Sequence, residues 1–331
     1  MSGGMCKESL FKTIFNVHTP MLSMYHLCYT SHKEVMYRNP ADMNMAFNSL
    51  CSALFKTESR CLADSFLPTH HHGCYYTECP RELARTSRSS YTKQFNEKYD
   101  RTGPLGEAGC FVQLLEGTQH QLTAITYTAR NAVHHGIVLT PFLYPYCSAN
   151  AYFRKELGKD NEPEILLSPG QIKAALPRRA AFDPSWKMGT DGVFLRESVL
   201  ETALVENLYA TPQAFNYMMS RKSSADWYKE QERDGNGLPP ITLEGMEQLF
   251  LEQAECREQT VMEMLQNEKA RFNASRMTDM QLCETIDQQY VPRYGKWSVY
   301  QLTVQEKNAI ANHLYKTYHL SEKQIRRCIV L

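Results

Sequence analysis

The chain has 331 residues, 36 Lys+Arg against 36 Asp+Glu and a hydrophobic share of 43%, so its formal net charge is zero. That composition fits a soluble globular protein of about two domains. No run approaches the roughly 18–20 apolar residues of a membrane helix, and Lys7, Glu8 and Lys12 interrupt the stretch that a signal peptide keeps apolar. A cytoplasmic location is therefore expected. Eleven cysteines without any Cys-x-x-Cys spacing read as reduced thiols, not as a disulfide frame or a zinc ribbon.

In chain order, residues 24–32 alternate large side chains with smaller or polar ones and predict a strand. Asn39-Pro40-Ala41-Asp42 then opens a helix that carries Met43, Phe47, Leu50, Leu54 and Phe55 at helical spacing. Strands are expected over 60–66 and 70–77, separated by Leu67-Pro68-Thr69. Pro80 starts a second helix to about Tyr99, which Arg101-Thr102-Gly103-Pro104-Leu105-Gly106 breaks. A strand from about Cys110 to Leu115 precedes a third helix, opened by the capping pair Thr118 and Gln121 and stopped near His134 by Gly136. Strand, helix, strand, strand, helix, strand, helix is the split order of a ferredoxin-like antiparallel sheet with one extra helix, an α+β fold.

Beyond it, the Pro- and Gly-containing stretch from Lys155 to Arg179 reads as a linker or a loosely packed surface segment, and residues 193–222 and 241–275 are expected to be helical. Thr303-x-x-Glu306 and Ser321-x-x-Gln324 are capping boxes for two short terminal helices. The second helix carries Lys323, Arg326 and Arg327, which suits a DNA-binding helix-turn-helix.

The neutral total conceals an uneven distribution. Residues 1–150 hold 13 basic and 11 acidic groups, residues 151–268 hold 13 and 20, and residues 269–331 hold 10 and 5. Nine of the eleven histidines precede residue 136, three of them consecutive at His70, His71 and His72. On a strand, His70 and His72 point to one face and His71 to the other. Two adjacent nitrogen donors make half of a metal site. Tyr127 and Asn131 lie one helical turn apart and share a helix face. A phenol beside an amide suits metal-assisted phosphodiester cleavage: the phenol is the nucleophile, while the amide and the two imidazoles hold the cation. Mixed nitrogen and oxygen donors with open positions fit Mg2+ or Mn2+ better than a closed zinc site. A free phenol with a pKa near 10 is short of ionisation at pH 7 by about 4 kcal/mol, part of which a neighbouring cation offsets.

These residues carry a resemblance. Leu67-Pro68-Thr69-His70-His71-His72 resembles the Pro-x-His-hydrophobic-His motif of the HUH single-tyrosine transposases. The stretch Tyr127-Thr128-Ala129-Arg130-Asn131-Ala132-Val133-His134-His135-Gly136 is similar to the Tyr-x-x-x-Asn-Pro-Val-x-x-Gly helix of the REP-associated, IS200-like members. Asn96, Tyr99, Arg101 and Gly103 fall on the family's Asn-x-x-Tyr-x-Arg-x-Gly stretch, and Tyr144-Pro145-Tyr146-Cys147-Ser148 stands where it has Tyr-Pro-Trp-Ser-Ser. His71 replaces the apolar residue between the histidines, Ala132 replaces the proline, and Ser31-His32-Lys33 replaces an Arg-Gly after the first strand.

The resemblance implies an HUH nuclease fold over residues 1–155. It implies that Tyr127 attacks a single-stranded or hairpin DNA phosphate to give a 5′-phosphotyrosine, with His70, His72 and Asn131 around a divalent cation. A helical region of unassigned role over 156–300 and a helix-turn-helix segment over 301–331 would complete the chain, with a homodimer as one possible assembly. DNA phosphates are further expected to meet Arg81, Arg85 and Arg88 on the second helix and Lys323, Arg326 and Arg327 in the tail. Two alternatives stay open: a catalytically silent DNA-binding protein of the same fold, and an unrelated metal phosphodiesterase. A register shifted by one, using His71, also stays open.

Overall fold

The computed structural model describes residues 22–159, 165–220, 277–318 and 320–331. The helix expected over 241–275 lies outside these residues.

The first part follows the expected order: β1 (Ser23–Thr30), α1 (Pro40–Lys56), β2 (Arg60–Leu67), β3 (His70–Thr77), α2 (Pro80–Tyr99), β4 (Phe111–Leu114) and α3 (Thr118–His134). The four strands form one antiparallel sheet in the order β2-β3-β1-β4, the ferredoxin-like arrangement. The fold class is α+β, with further helices toward the C-terminus.

Strand alternation divides the core. Leu27, Tyr29, Phe66 and Tyr75 point to the face covered by α1 and α2. Met24, Leu62 and Cys74 point to the opposite face, where α3 lies with Ile125, Tyr127 and Ala129. Pro40 and the Asn39 side chain, which accepts from the Asp42 amide, start α1. Asp100, in a left-handed conformation, ends α2.

The start of α3 differs from expectation. Gly117 is the N-cap and no side chain caps the helix. Gln121 instead donates from its side chain to the Leu115 carbonyl. The end is as expected: Gly136, at φ 64°, lets its own amide reach Val133 and that of Ile137 reach Ala132.

Residues 165–220 bring α4 (Pro169–Ala175), α5 (Arg196–Val199), α6 (Thr202–Tyr209) and α7 (Pro212–Ser220). The stretch read as helical over 193–222 thus holds three short helices among its described residues. Leu200 leaves helical geometry to bridge Cys61 on β2, and Ala210 at φ 64° followed by Pro212 interrupts the next turn. The expected linker contains α4, whose Ile172 joins the α1/α2-face core along with Met188, Phe194 and Leu200. Arg196 is held on buried Asp64 through contacts of 3.0–3.2 Å.

A third core gathers α8 (Asp279–Thr285), α9 (Val304–Tyr318) and α10 (Glu322–Ile329) around Leu282, Ile286, Leu314 and Ile325. Val35 from the loop after β1 joins it. Arg38 ties the two parts, donating to both Asp287 carboxylate oxygens at 2.7 and 2.9 Å and to the Cys328 carbonyl at 2.8 Å. Among the described residues, no helix is long and apolar enough to cross a membrane.

Candidate functional site

Pro68 and Thr69 form the two-residue turn between β2 and β3, and the loop after β1 grips it. Ser31 donates its amide to the Thr69 carbonyl, while Met36 and Tyr37 donate theirs to Pro68, at 2.8–3.1 Å. This fixes the first residues of β3, where the triple histidine begins. His70 and His72 face α3. His71 enters the opposite core, 1% exposed, with its ring 4.1 Å from that of Phe66 and 4.9 Å from that of Tyr29. Tyr75 OH lies 3.3 Å from its Nε2. Gly73 makes room for that contact, because a Cβ there would sit 2.0 Å from the Tyr75 hydroxyl.

On α3, Tyr127, Asn131, His134 and His135 follow at intervals that keep them on one side of the helix. His70 Nε2 lies 3.0 Å from Asn131 Oδ1, and His70 Nδ1 lies 3.1 Å from Thr69 Oγ1. The His72 ring meets that of His70 at 5.3 Å and that of Tyr127 at 5.3 Å, both edge-on. Tyr127, 7% exposed, stacks on His134 with centroids 5.3 Å apart, and His135 lies 4.6 Å from His70. All four expected residues, His70, His72, Tyr127 and Asn131, therefore meet between β3 and α3.

β1 adds two residues that sequence reasoning passed over. His26 Nε2 lies 3.1 Å from His72 Nδ1, and Cys28 Sγ lies 3.5 Å from His72 Nε2. The alternation read over 24–32 already placed both on one face, and the excess of histidines in the first part was the other available signal. His134 and His135 were likewise visible at i+7 and i+8 from Tyr127.

Burial sets the protonation of this cluster. His72 is held well below the ordinary imidazole range, first by desolvation and then by His26, His70, His71 and His135. His26 is pushed down to about 3 by desolvation, with His120 adding to it. Burial, then Cys110, pushes the Cys28 thiol up. The result is a neutral imidazole at His26 and at His72, the form that ligates metals, and a protonated thiol at Cys28.

The donors suit a divalent cation. An octahedral Mg2+ at roughly 2.1 Å from its ligands sets neighbouring donors about 3.0 Å apart, which matches His70 Nε2 and Asn131 Oδ1. Two imidazoles sharing one ion have ring centres roughly 5 Å apart, as His70 and His72 do. Asn131 is fully buried, and its Nδ2 has no hydrogen-bond partner. No group of three or more His, Cys, Asp or Glu arranged to hold a metal occurs among the described residues, so a cation here relies on two imidazoles and an amide.

The residues expected to contact DNA lie on α2 and α10. Arg85 is paired with Glu82 at 2.5 Å. Arg88 donates to the carbonyls of Glu107, Ala108 and Gly109 and covers the Tyr29 ring. Arg81 lies beside both along an open pocket between α2 and the segment leading to β4. In α10, Arg327 is engaged by Asp279 at 2.7 Å. Lys323 and Arg326 are exposed, and Arg326 contacts Glu322 at 2.8 Å. The Asn96-Tyr99-Arg101-Gly103 stretch is scaffolding. Arg101 bonds Asn96 Oδ1, the Gly103 and Pro104 carbonyls and Glu34, while Tyr99 OH donates to Asp42.

No family model matches the sequence, and no curated protein matches it. Among solved structures, that of a REP-associated tyrosine transposase bound to a REP hairpin is similar at 12% identity and a TM-score of 0.36, covering 43% of this chain and 84% of the other.

Proposed function

We propose that the chain cleaves and rejoins single-stranded, hairpin-forming DNA through a covalent phosphotyrosine on Tyr127. The observation that supports this reading is the meeting of His70, His72, Asn131 and Tyr127 between β3 and α3, all with side chains on the face the chemistry requires. The phenolic oxygen of Tyr127 attacks phosphorus, the bond from phosphorus to the 3′-oxygen breaks, and the 5′-phosphate stays on the tyrosine. The phenol proton is balanced by the one gained by the departing 3′-oxygen. A phosphodiester is exchanged for a phosphodiester, so a DNA 3′-hydroxyl reverses the step without an external energy source. His70, His72 and Asn131 would hold Mg2+ or Mn2+, which when bound polarises the phosphoryl oxygens and favours the ionised phenol. Thr69 orients His70 through Nδ1, leaving Nε2 toward Asn131.

The test is incubation with short single-stranded hairpins and Mn2+, followed by denaturing electrophoresis. The wild-type chain gives a covalent protein-DNA adduct and Tyr127→Phe gives none while still binding the hairpin. An adduct in Tyr127→Phe overturns the assignment of the nucleophile.

One observation favours a second reading. Tyr127 is 7% exposed and stacked on His134, so attack requires the phenol to become accessible. A protein that binds DNA on this fold without cutting it would keep Tyr127 so packed. It would bind the hairpin and give no adduct in the wild type.

A further inference from the structure

His26 is 0% exposed in the middle of β1. An apolar side chain would fill that place with less desolvation, and the imidazole gains little there as packing because its Nδ1 has no hydrogen-bond partner. Its other nitrogen, Nε2, is directed at Nδ1 of His72 at 3.1 Å, with the two rings stacked at 5.2 Å and 27°. The antiparallel register explains the approach. Cys28 stands opposite His72 and His26 opposite Cys74, so His26 reaches His72 diagonally across β1 and β3.

The consequence is a choice of tautomer. A neutral imidazole has one N–H and one lone pair, and a ligating nitrogen must present the lone pair. His72 Nδ1 is closed by His26, so Nε2 is the nitrogen left to a cation. It presents a lone pair when the proton sits on Nδ1 and is donated to His26. The weak contact of 3.5 Å from Cys28 Sγ to Nε2 is the one a cation would displace.

We infer that His26 is a positioning residue for metal binding, accepting the Nδ1 proton of His72 so that His72 Nε2 faces the cation held with His70 and Asn131. This rests on the reading of the site as a cation-assisted DNA transesterase. His26 does not touch DNA or the cation; it acts through the orientation and tautomer of its neighbour.

The experiment measures Mn2+ affinity of the full chain by titration calorimetry, without DNA. His26→Leu is expected to weaken binding about 10–100-fold, with the thermal midpoint close to that of the wild type because removal of the unpaired His26 Nδ1 offsets the loss of an acceptor for His72 Nδ1–H. His26→Gln, whose side-chain oxygen accepts the same proton, recovers most of the affinity. A readout that needs no variant covers the case in which His26→Leu does not fold: in histidine-labelled wild-type chain, nitrogen NMR with Mg2+ should find the His72 proton on Nδ1. Unchanged Mn2+ affinity in a folded His26→Leu protein, or a His72 proton on Nε2 in the Mg2+-loaded chain, overturns the role of His26 alone. A wild-type chain that binds no Mn2+ overturns the reading of the site together with it.

Discussion

Replacing His71 separates the two faces of β3. The side chain is buried between Phe66 and Tyr29 and bonded by Tyr75 OH at 3.3 Å, on the face away from α3. Truncating a buried aromatic ring to alanine costs roughly 3–5 kcal/mol. An imidazole is smaller, and its Nδ1 already lacks a partner, so about 2–3 kcal/mol is expected from lost packing. Leaving the Tyr75 hydroxyl unbonded adds about 1 kcal/mol. A chain of this size loses roughly 2–4 °C of Tm per kcal/mol, so His71→Ala should melt about 10 °C lower. His71→Phe keeps the ring, removes the unpartnered nitrogen and should stay within about 1 kcal/mol of the wild type. Adduct formation at a temperature where all variants are folded should persist in both. His70→Ala, at a half-buried position, should instead retain most of its stability and lose the adduct. Thermal unfolding and the hairpin adduct assay, run side by side, check this. A His71→Ala protein that melts normally yet forms no adduct would show that the strand presents its other face to the chemistry.

Arg196→Met removes the partner of Asp64 and leaves an uncompensated carboxylate in the core, costing about 3–5 kcal/mol. Urea midpoints should show most of that loss recovered in Arg196→Met/Asp64→Leu, and equal midpoints for the single and double variants would rule it out. Acid should destabilise the fold before carboxylates titrate. His26 drops from 6.5 to about 3 in the native state, so between those values the unfolded chain binds the proton that the folded chain refuses. Its contribution is intact above pH 6.5 and lost progressively as pH falls toward 3. At pH 5 the loss is about 2 kcal/mol, and burial of His71 and His72 acts in the same direction. Stability by chemical unfolding that stays flat between pH 7 and 5 contradicts neutral burial.

Periodicity made the sheet, its flanking helices and the face of His70 and His72 legible, because a two-residue repeat leaves little choice once one face must pack. Tyr127 and Asn131 were legible for the same reason at helical spacing. The start of α3 was not: Thr118 and Gln121 have the chemistry of a capping box, but Gly117 occupies the cap, and local chemistry cannot tell one residue from its neighbour. The arginine spacing on α2 was legible, but the surroundings of its side chains were not. Arg85 and Arg88 recur at helical spacing, yet their partners, Glu82 and the carbonyls of 107–109, become visible only in the folded chain. His26 and Cys28 sat in a correctly read strand, and what hid them was that the importance of a buried polar side chain depends on its cross-strand neighbour.

Arg38 has a consequence for timing. Its guanidinium is 0% exposed and is satisfied by Asp287 and by a carbonyl 290 residues further along the chain. During synthesis at roughly 5–20 residues per second, about 15–60 s pass between the appearance of Arg38 and that of its last acceptor. Until then the charge has to stay in water, and the loop that clasps the Pro68-Thr69 turn is held from one side only. The triple-histidine end of the sheet should thus be the last region to gain protection from amide exchange.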